Sequence, residues 1–159
     1  MPKPILYTSN TRYAFTVSYF NTASKGSVSI KVNLLRGENV IKELNIGNLE
    51  LSNTNDWKTK RFLIDVPDLN PPAGLIQIYL DVKKNYSGEL WFDDLVLQPI
   101  LPGKNMITNP GFETMPSSNI DWYVNGPNLD SSEKHSGSSA IKISEDPENK
   151  FNNVHTISI

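Results

Sequence analysis

The chain has 159 residues, with 15 Lys and Arg against 17 Asp and Glu for a net charge of −2, and no cysteine. That length suits one domain with a real hydrophobic core, and the missing thiols exclude disulfides, thiol catalysis and thiolate metal sites. Charges of both signs are scattered, with no basic run of the kind that holds nucleic acid, and the apolar runs are too short for a helix to insert in a membrane.

Met1-Pro2-Lys3-Pro4 reads as an added start or the end of a linker, and no charged-then-apolar signal segment is expected there. Period-two alternation then runs through most of the chain, and helical periodicity is absent. Tyr13, Phe15, Val17 and Tyr19 alternate with Ala14, Thr16, Ser18 and Phe20. Val28, Ile30, Val32 and Leu34 face one way; Ser27, Ser29, Lys31 and Asn33 face the other. Between Trp57 and Val66, Phe62, Ile64 and Val66 oppose Thr59, Arg61, Leu63 and Asp65. Ile76, Ile78, Leu80 and Val82 point to a core, with Gln77, Tyr79 and Asp81 outside. Shorter apolar segments follow at Leu90 to Leu97, Ala140 to Ile143 and Val154 to Ile159.

Turn chemistry separates these runs. Arg36-Gly37-Glu38-Asn39, Asn85-Tyr86-Ser87-Gly88 and Asn125-Gly126-Pro127 are turn-formers. Pro67 to Pro72 cannot continue a strand, because proline lacks the ladder donor. Gln98 to Asn105 holds two prolines and a glycine and reads as a linker. Many short strands, each with one apolar face, predict an all-β antiparallel β-sandwich of the jelly-roll kind.

After the linker come Asn109-Pro110-Gly111-Phe112-Glu113, then Trp122, then His135-Ser136-Gly137 leading into Ala140-Ile141-Lys142-Ile143. This order resembles the opening of carbohydrate-binding modules of families 4, 9 and 22. Tyr13 to Tyr19, Asp56-Trp57 leading to Val66-Pro67, and Leu90-Trp91-Phe92-Asp93-Asp94-Leu95 resemble the closing half of the same modules. The resemblance covers nearly the whole chain, with the halves in reversed order: 1–98 as the closing half, 99–105 as the linker and 106–159 as the opening half. It implies either a circularly permuted single jelly roll or the end of one module joined to the start of the next in a tandem array. A closed domain, permuted or domain-swapped, is favoured, because separate half-barrels would leave raw strand edges.

The resemblance also implies a structural calcium. Its ligands would be Glu113, Asp94 or Asp93, and backbone carbonyls of the turn from Lys134 through His135 to Gly137. Two carboxylates and several carbonyls can supply the six to eight oxygens that calcium takes.

Binding a sugar needs an aromatic face with planar polar groups beside it. The outward set Gln77, Tyr79 and Asp81 has that mixture, and Arg61 and Thr59, with Thr16, Ser18 and Phe20, have the parity to join the same sheet. Tyr86 and Tyr123 are expected to wall a groove. Trp57 and Trp122 are expected in the core, Trp91 fits either core or surface, and His135 and His155 are structural or exposed. No phosphate loop, nucleophile elbow or His-Glu-x-x-His is present. A glycosidase needs two opposed carboxylates, and adjacent Asp93 and Asp94 should point to opposite faces of a strand.

These readings predict a non-catalytic module that binds a polysaccharide or glycan. It would belong to a larger extracellular, cell-surface or virion-associated assembly, such as a phage baseplate. The alternatives are a jelly-roll spacer that docks proteins and an accessory domain that binds receptor glycans.

Overall fold

In a computed structural model of the chain, the described residues are 5–8, 10–22, 25–52, 56–70, 74–82, 86, 88–100, 106–107, 110–113, 123–124, 128–144 and 156–158. They form strands β1 (Ile5–Leu6), β2 (Arg12–Asn21), β3 (Ser27–Arg36), β4 (Asn39–Glu50), β5 (Lys58–Asp65), β6 (Leu75–Val82), β7 (Glu89–Pro99), β8 (Tyr123–Val124), β9 (Asn128–Asp130), β10 (Ala140–Ser144) and β11 (Thr156–Ser158). Among the described residues there is no helix.

The strands make an antiparallel β-sandwich. Sheet A runs β4-β3-β6-β11-β8, with β1 also paired to β6; sheet B runs β5-β2-β7-β10-β9. Both halves of the chain put strands into both sheets. The first half supplies β4-β3-β6 and β5-β2-β7, and the second adds β11 and β8 to sheet A and β10 and β9 to sheet B.

Alternation explains the layers. Val28, Ile30, Val32 and Leu34 of β3 and Ile76, Ile78, Leu80 and Val82 of β6 are buried against Tyr13, Phe15, Val17 and Tyr19 of β2. Side chains that close-pack this way are each worth about 1.5–3 kcal/mol in transfer free energy. The second half adds Ile141 and Ile143 from β10, with Ile107 and Phe112 from the segment after the linker. That segment runs beside β7 through Met106 N donating to Leu97 O at 2.7 Å and Leu95 N donating to Pro110 O at 2.9 Å.

Two irregularities shift the alternation. In β7, Thr16 pairs with Val96 but Ser18 with Asp93, so β7 carries an extra residue, and Asp94 lies at φ 48°. This bulge moves the inward set from Leu90 and Phe92 to Leu95 and Leu97. In β4, register slips opposite Ile30/Lys31 and Leu34/Leu35 break the inward set. The β4 segment carries no strand signal in the sequence, because these slips leave no constant parity running through it. Where β4 meets β5, Gly47 at φ 146° makes room for the Phe62 ring, which a Cβ would meet at 2.7 Å.

Candidate functional site

Among the described side chains, the outer face of sheet A is a grid of polar groups around one ring, Tyr79. Register sets Glu43 of β4 beside Asn33 of β3, and Asn33 beside Gln77 of β6. Lys31 pairs with Tyr79, and Ser29 with Asp81. Cross-strand neighbours on one face lie close enough for such side chains to touch. Lys31, Asn33, Glu43, Tyr79 and Asp81 line a cleft of about 280 Å³.

The floor of this cleft is internally bonded. The Tyr79 hydroxyl donates to Gln77 Oε1, and the Asn33 amide also hydrogen-bonds it. Burial pushes the Tyr79 phenol above its ordinary value, Asn33 pulls it back, and the Glu43 charge adds to the rise. Tyr79 therefore stays neutral and offers ring surface more than a free hydroxyl. Asn33 is 8% exposed, and its Oδ1 has no hydrogen-bond partner among the described residues. Lys31 Nζ lies 3.3 Å from Asp81 Oδ2 and 3.9 Å from Glu43 Oε1.

Gln77, Tyr79 and Asp81 thus come together as the alternation of β6 expects. Arg61, Thr59, Thr16, Ser18 and Phe20 do not join them. They belong to β5 and β2 of sheet B, on the opposite side of the sandwich. Parity tells which face of its own sheet a residue takes, but not which sheet its strand joins. Tyr86 is not a groove wall either; it is buried, with its hydroxyl donating to Ile143 O at 3.2 Å. Tyr123 lies in β8 opposite Ser158, and its side chain is outside the described residues, as are Trp122 and His155. Lys31 and Asn33 carried a usable signal, since they sit on the outward parity of β3. Glu43 carries none, because the register slips of β4 break its alternation.

The outer face of sheet B is aromatic, with Trp91 buried and Phe20 and Trp57 half-buried. Phe20 packs on Trp91 at 5.1 Å and on Trp57 at 6.1 Å, and Trp57 meets His135 edge-on at 5.6 Å. Trp57 is therefore a half-buried outer-face residue, not the core residue expected, and its Nε1 has no partner among the described residues. Trp91 is 3% exposed, with its Nε1 donating to Asp130 Oδ2 at 3.3 Å. Lys142 Nζ sits 5.0 Å from the Trp91 ring centroid, 2.6 Å from Glu89 Oε1 and 3.6 Å from Asp130 Oδ2. Bonds from the Ser132 side chain and backbone hold Asp130 down at about 2 against its desolvation, with smaller help from Trp91 and Lys142.

Beside this face the acidic motifs converge. Asp93 and Asp94 do not diverge to opposite faces, because the bulge turns both toward one loop. Asp93 Oδ2 accepts from His135 N at 3.0 Å and Ser136 N at 3.1 Å, and its Oδ1 accepts from Asp94 N at 2.7 Å. Asp94 accepts from Ser136 Oγ at 2.7 Å and meets His135 Nδ1. Glu113 Oε2 accepts from Ser138 N at 2.7 Å. Burial raises the Asp93 carboxyl, and the N–H donors of Ser136, Asp94 and His135 offset part of that rise.

Glu113, Asp94 and Asp93 are all within reach of Gly111. A methyl at that glycine would lie 3.6, 3.7 and 3.8 Å from one oxygen of each, respectively. At Gly137, φ 62°, a Cβ would overlap the Glu113 carboxylate. Lys134 is exposed, with Nζ donating to Ser131 O at 3.0 Å. Hard oxygen donors gathered around a glycine cradle suit calcium by their chemistry. Among the described residues no group of three acidic or imidazole side chains is poised as a metal cage, and the turn's own donors engage most of these oxygens. No protein-family model matches the chain, and neither does a curated protein or a solved structure.

Proposed function

We propose that the chain is a non-catalytic carbohydrate-binding module whose site is the sheet A cleft around Tyr79. The observation that carries this reading is the cleft itself: one half-buried tyrosine ring among an amide, an ammonium and two carboxylates, on an open sheet face. A pyranose offers an apolar side and a rim of hydroxyls. Stacking it on Tyr79 removes apolar area from water, at about 25 cal/mol per Å². Asn33, Lys31 and Asp81 then select hydroxyl geometry, since a site built around such bonds rejects sugars that lack them. Affinity per site is low because the cleft is shallow and ordering the ligand offsets much of the gain. Repeated copies in an extracellular, cell-surface or virion-associated assembly supply avidity.

A protein-docking spacer would need a broad apolar face. Among the described residues the exposed large hydrophobics are Leu6, Val40, Ile41, Leu63 and Ile100, spread over β1, β4, β5 and the end of β7. Single exposed apolar side chains are ordinary surface.

The jelly-roll module in permuted order remains part of this reading. In it a structural calcium is held by Glu113, Asp94 and Asp93 with the turn carbonyls from Lys134 to Gly137. Calcium would cross-link the two halves of the chain, and these residues would orient the turn that covers the sheet B aromatics.

The test is calorimetric titration with the best glycan from a polysaccharide screen, comparing wild type with Tyr79→Ala and Gln77→Ala. Loss of binding in folded variants is expected. Binding as tight as wild type in both would reject the cleft as the site.

A further inference from the structure

We infer that Glu43 is the specificity-determining residue of the cleft and makes it exclude anionic sugars. The inference rests on the glycan reading of the Tyr79 cleft and adds to it the charge class of the ligand. The lining residues bring two carboxylates, Glu43 and Asp81, and one ammonium, Lys31. Lys31 is nearer Asp81, at 3.3 Å, than Glu43, at 3.9 Å. The Asp81 side chain is 15% exposed and the Glu43 side chain 57% exposed. Lys31 is therefore committed to the inner carboxylate, and Glu43 stands at the rim as the charge least compensated.

Two minus one leaves a single net negative charge, placed where a ligand enters. A uronate, sulfate or phosphate brought to that rim meets like charge, and Lys31 cannot answer it without leaving Asp81. An uncharged sugar meets acceptors instead. The orphan Oδ1 of Asn33 points the same way, because the nearly buried floor already has an acceptor in need of a donor. Hydroxyl and amide N–H groups satisfy that need, and a carboxylate, sulfate or dianionic phosphate group facing it cannot.

The experiment is a printed glycan array holding uncharged, uronate, sulfated and phosphorylated glycans. It is probed with wild type, Tyr79→Ala, Glu43→Lys and Glu43→Gln, each checked for folding by circular dichroism. Wild-type signal should be confined to uncharged glycans and be lost in Tyr79→Ala. Glu43→Lys should gain about tenfold on anionic glycans in low salt, with Glu43→Gln between the two, and the gain should fade in high salt as screening shortens. Wild-type signal on anionic glycans, or variants of Glu43 indistinguishable from wild type, would overturn the charge selection and leave glycan binding standing. No signal on any glycan from any protein, or signal unaffected by Tyr79→Ala, would overturn the cleft reading and this inference together.

Discussion

The two outer faces of the sandwich use similar materials to opposite ends. Among the described side chains, sheet A presents one ring, Tyr79, half-buried in an open cleft with carboxylates and an ammonium around it. Sheet B presents three rings, Phe20, Trp57 and Trp91, packed on one another, with His135 against Trp57 and Lys142 over Trp91. By composition the second face is the better sugar platform. By geometry it is the worse one, because Trp91 is covered and its N–H and the nearby Asp130 are already bonded. What covers an aromatic decides whether it binds a ligand or holds the fold.

The largest expected difference between the faces is in stability. Trp91→Ala removes a buried indole together with its contact to Phe20 and its bond to Asp130, and should cost about 3–5 kcal/mol in chemical denaturation. Tyr79→Ala, on the open face, should cost about 1 kcal/mol. Equal losses would erase the distinction between a covered ring and an open one.

Calcium should act on the side of sheet B. A ligand that binds only the native state adds about 2.7 kcal/mol at a hundredfold excess over its dissociation constant. Chelation with EDTA should therefore lower the melting temperature, and Glu113→Ala should remove the difference. Melting that ignores chelator would dismiss a stabilising ion and leave the bonds of Asp93, Asp94 and Glu113 to His135, Ser136 and Ser138 to hold the turn.

Acid gives a smaller effect, with opposite signs at two carboxylates. Asp130 is held down from 3.8 to about 2, so its contribution is full above 3.8 and is lost as pH falls toward 2. Asp93 is raised by burial, so protonating it as pH falls through its folded value favours the native state. Melting temperature should drop between about pH 4 and pH 2, and less so in Asp130→Asn. An identical drop in that variant would place the acid sensitivity elsewhere.

The sequence made the faces of individual strands legible and left their assembly hidden. Phe62, Ile64 and Val66 are buried, and Thr59, Arg61, Leu63 and Asp65 are exposed, as strict alternation requires. The same rule aligned Gln77, Tyr79 and Asp81 on β6. It could not say that β5 pairs with β2 and β6 with β3, so Arg61 and Phe20 were grouped with Tyr79 although a whole sheet separates them. Bulges hid the rest. The extra residue at Asp94 turned an expected divergence of two carboxylates into convergence on one loop, and the register slips of β4 concealed Glu43. The meeting of Glu113 with the turn from Lys134 to Gly137 is expected only from the resemblance, since nothing in their spacing brings them together; the hydrogen bond itself comes from Ser138 N, one residue beyond.

The central claim is that ligand enters at sheet A and leaves sheet B alone. Titration of a bound glycan into nitrogen-15-labelled protein, followed residue by residue in amide chemical shift, tests it directly. The account predicts shifts concentrated at Lys31, Asn33, Glu43, Gln77, Tyr79 and Asp81, with Phe20, Trp57, Trp91 and Lys142 unmoved. Shifts concentrated at Phe20, Trp57 and Trp91 with a silent β6 would contradict it.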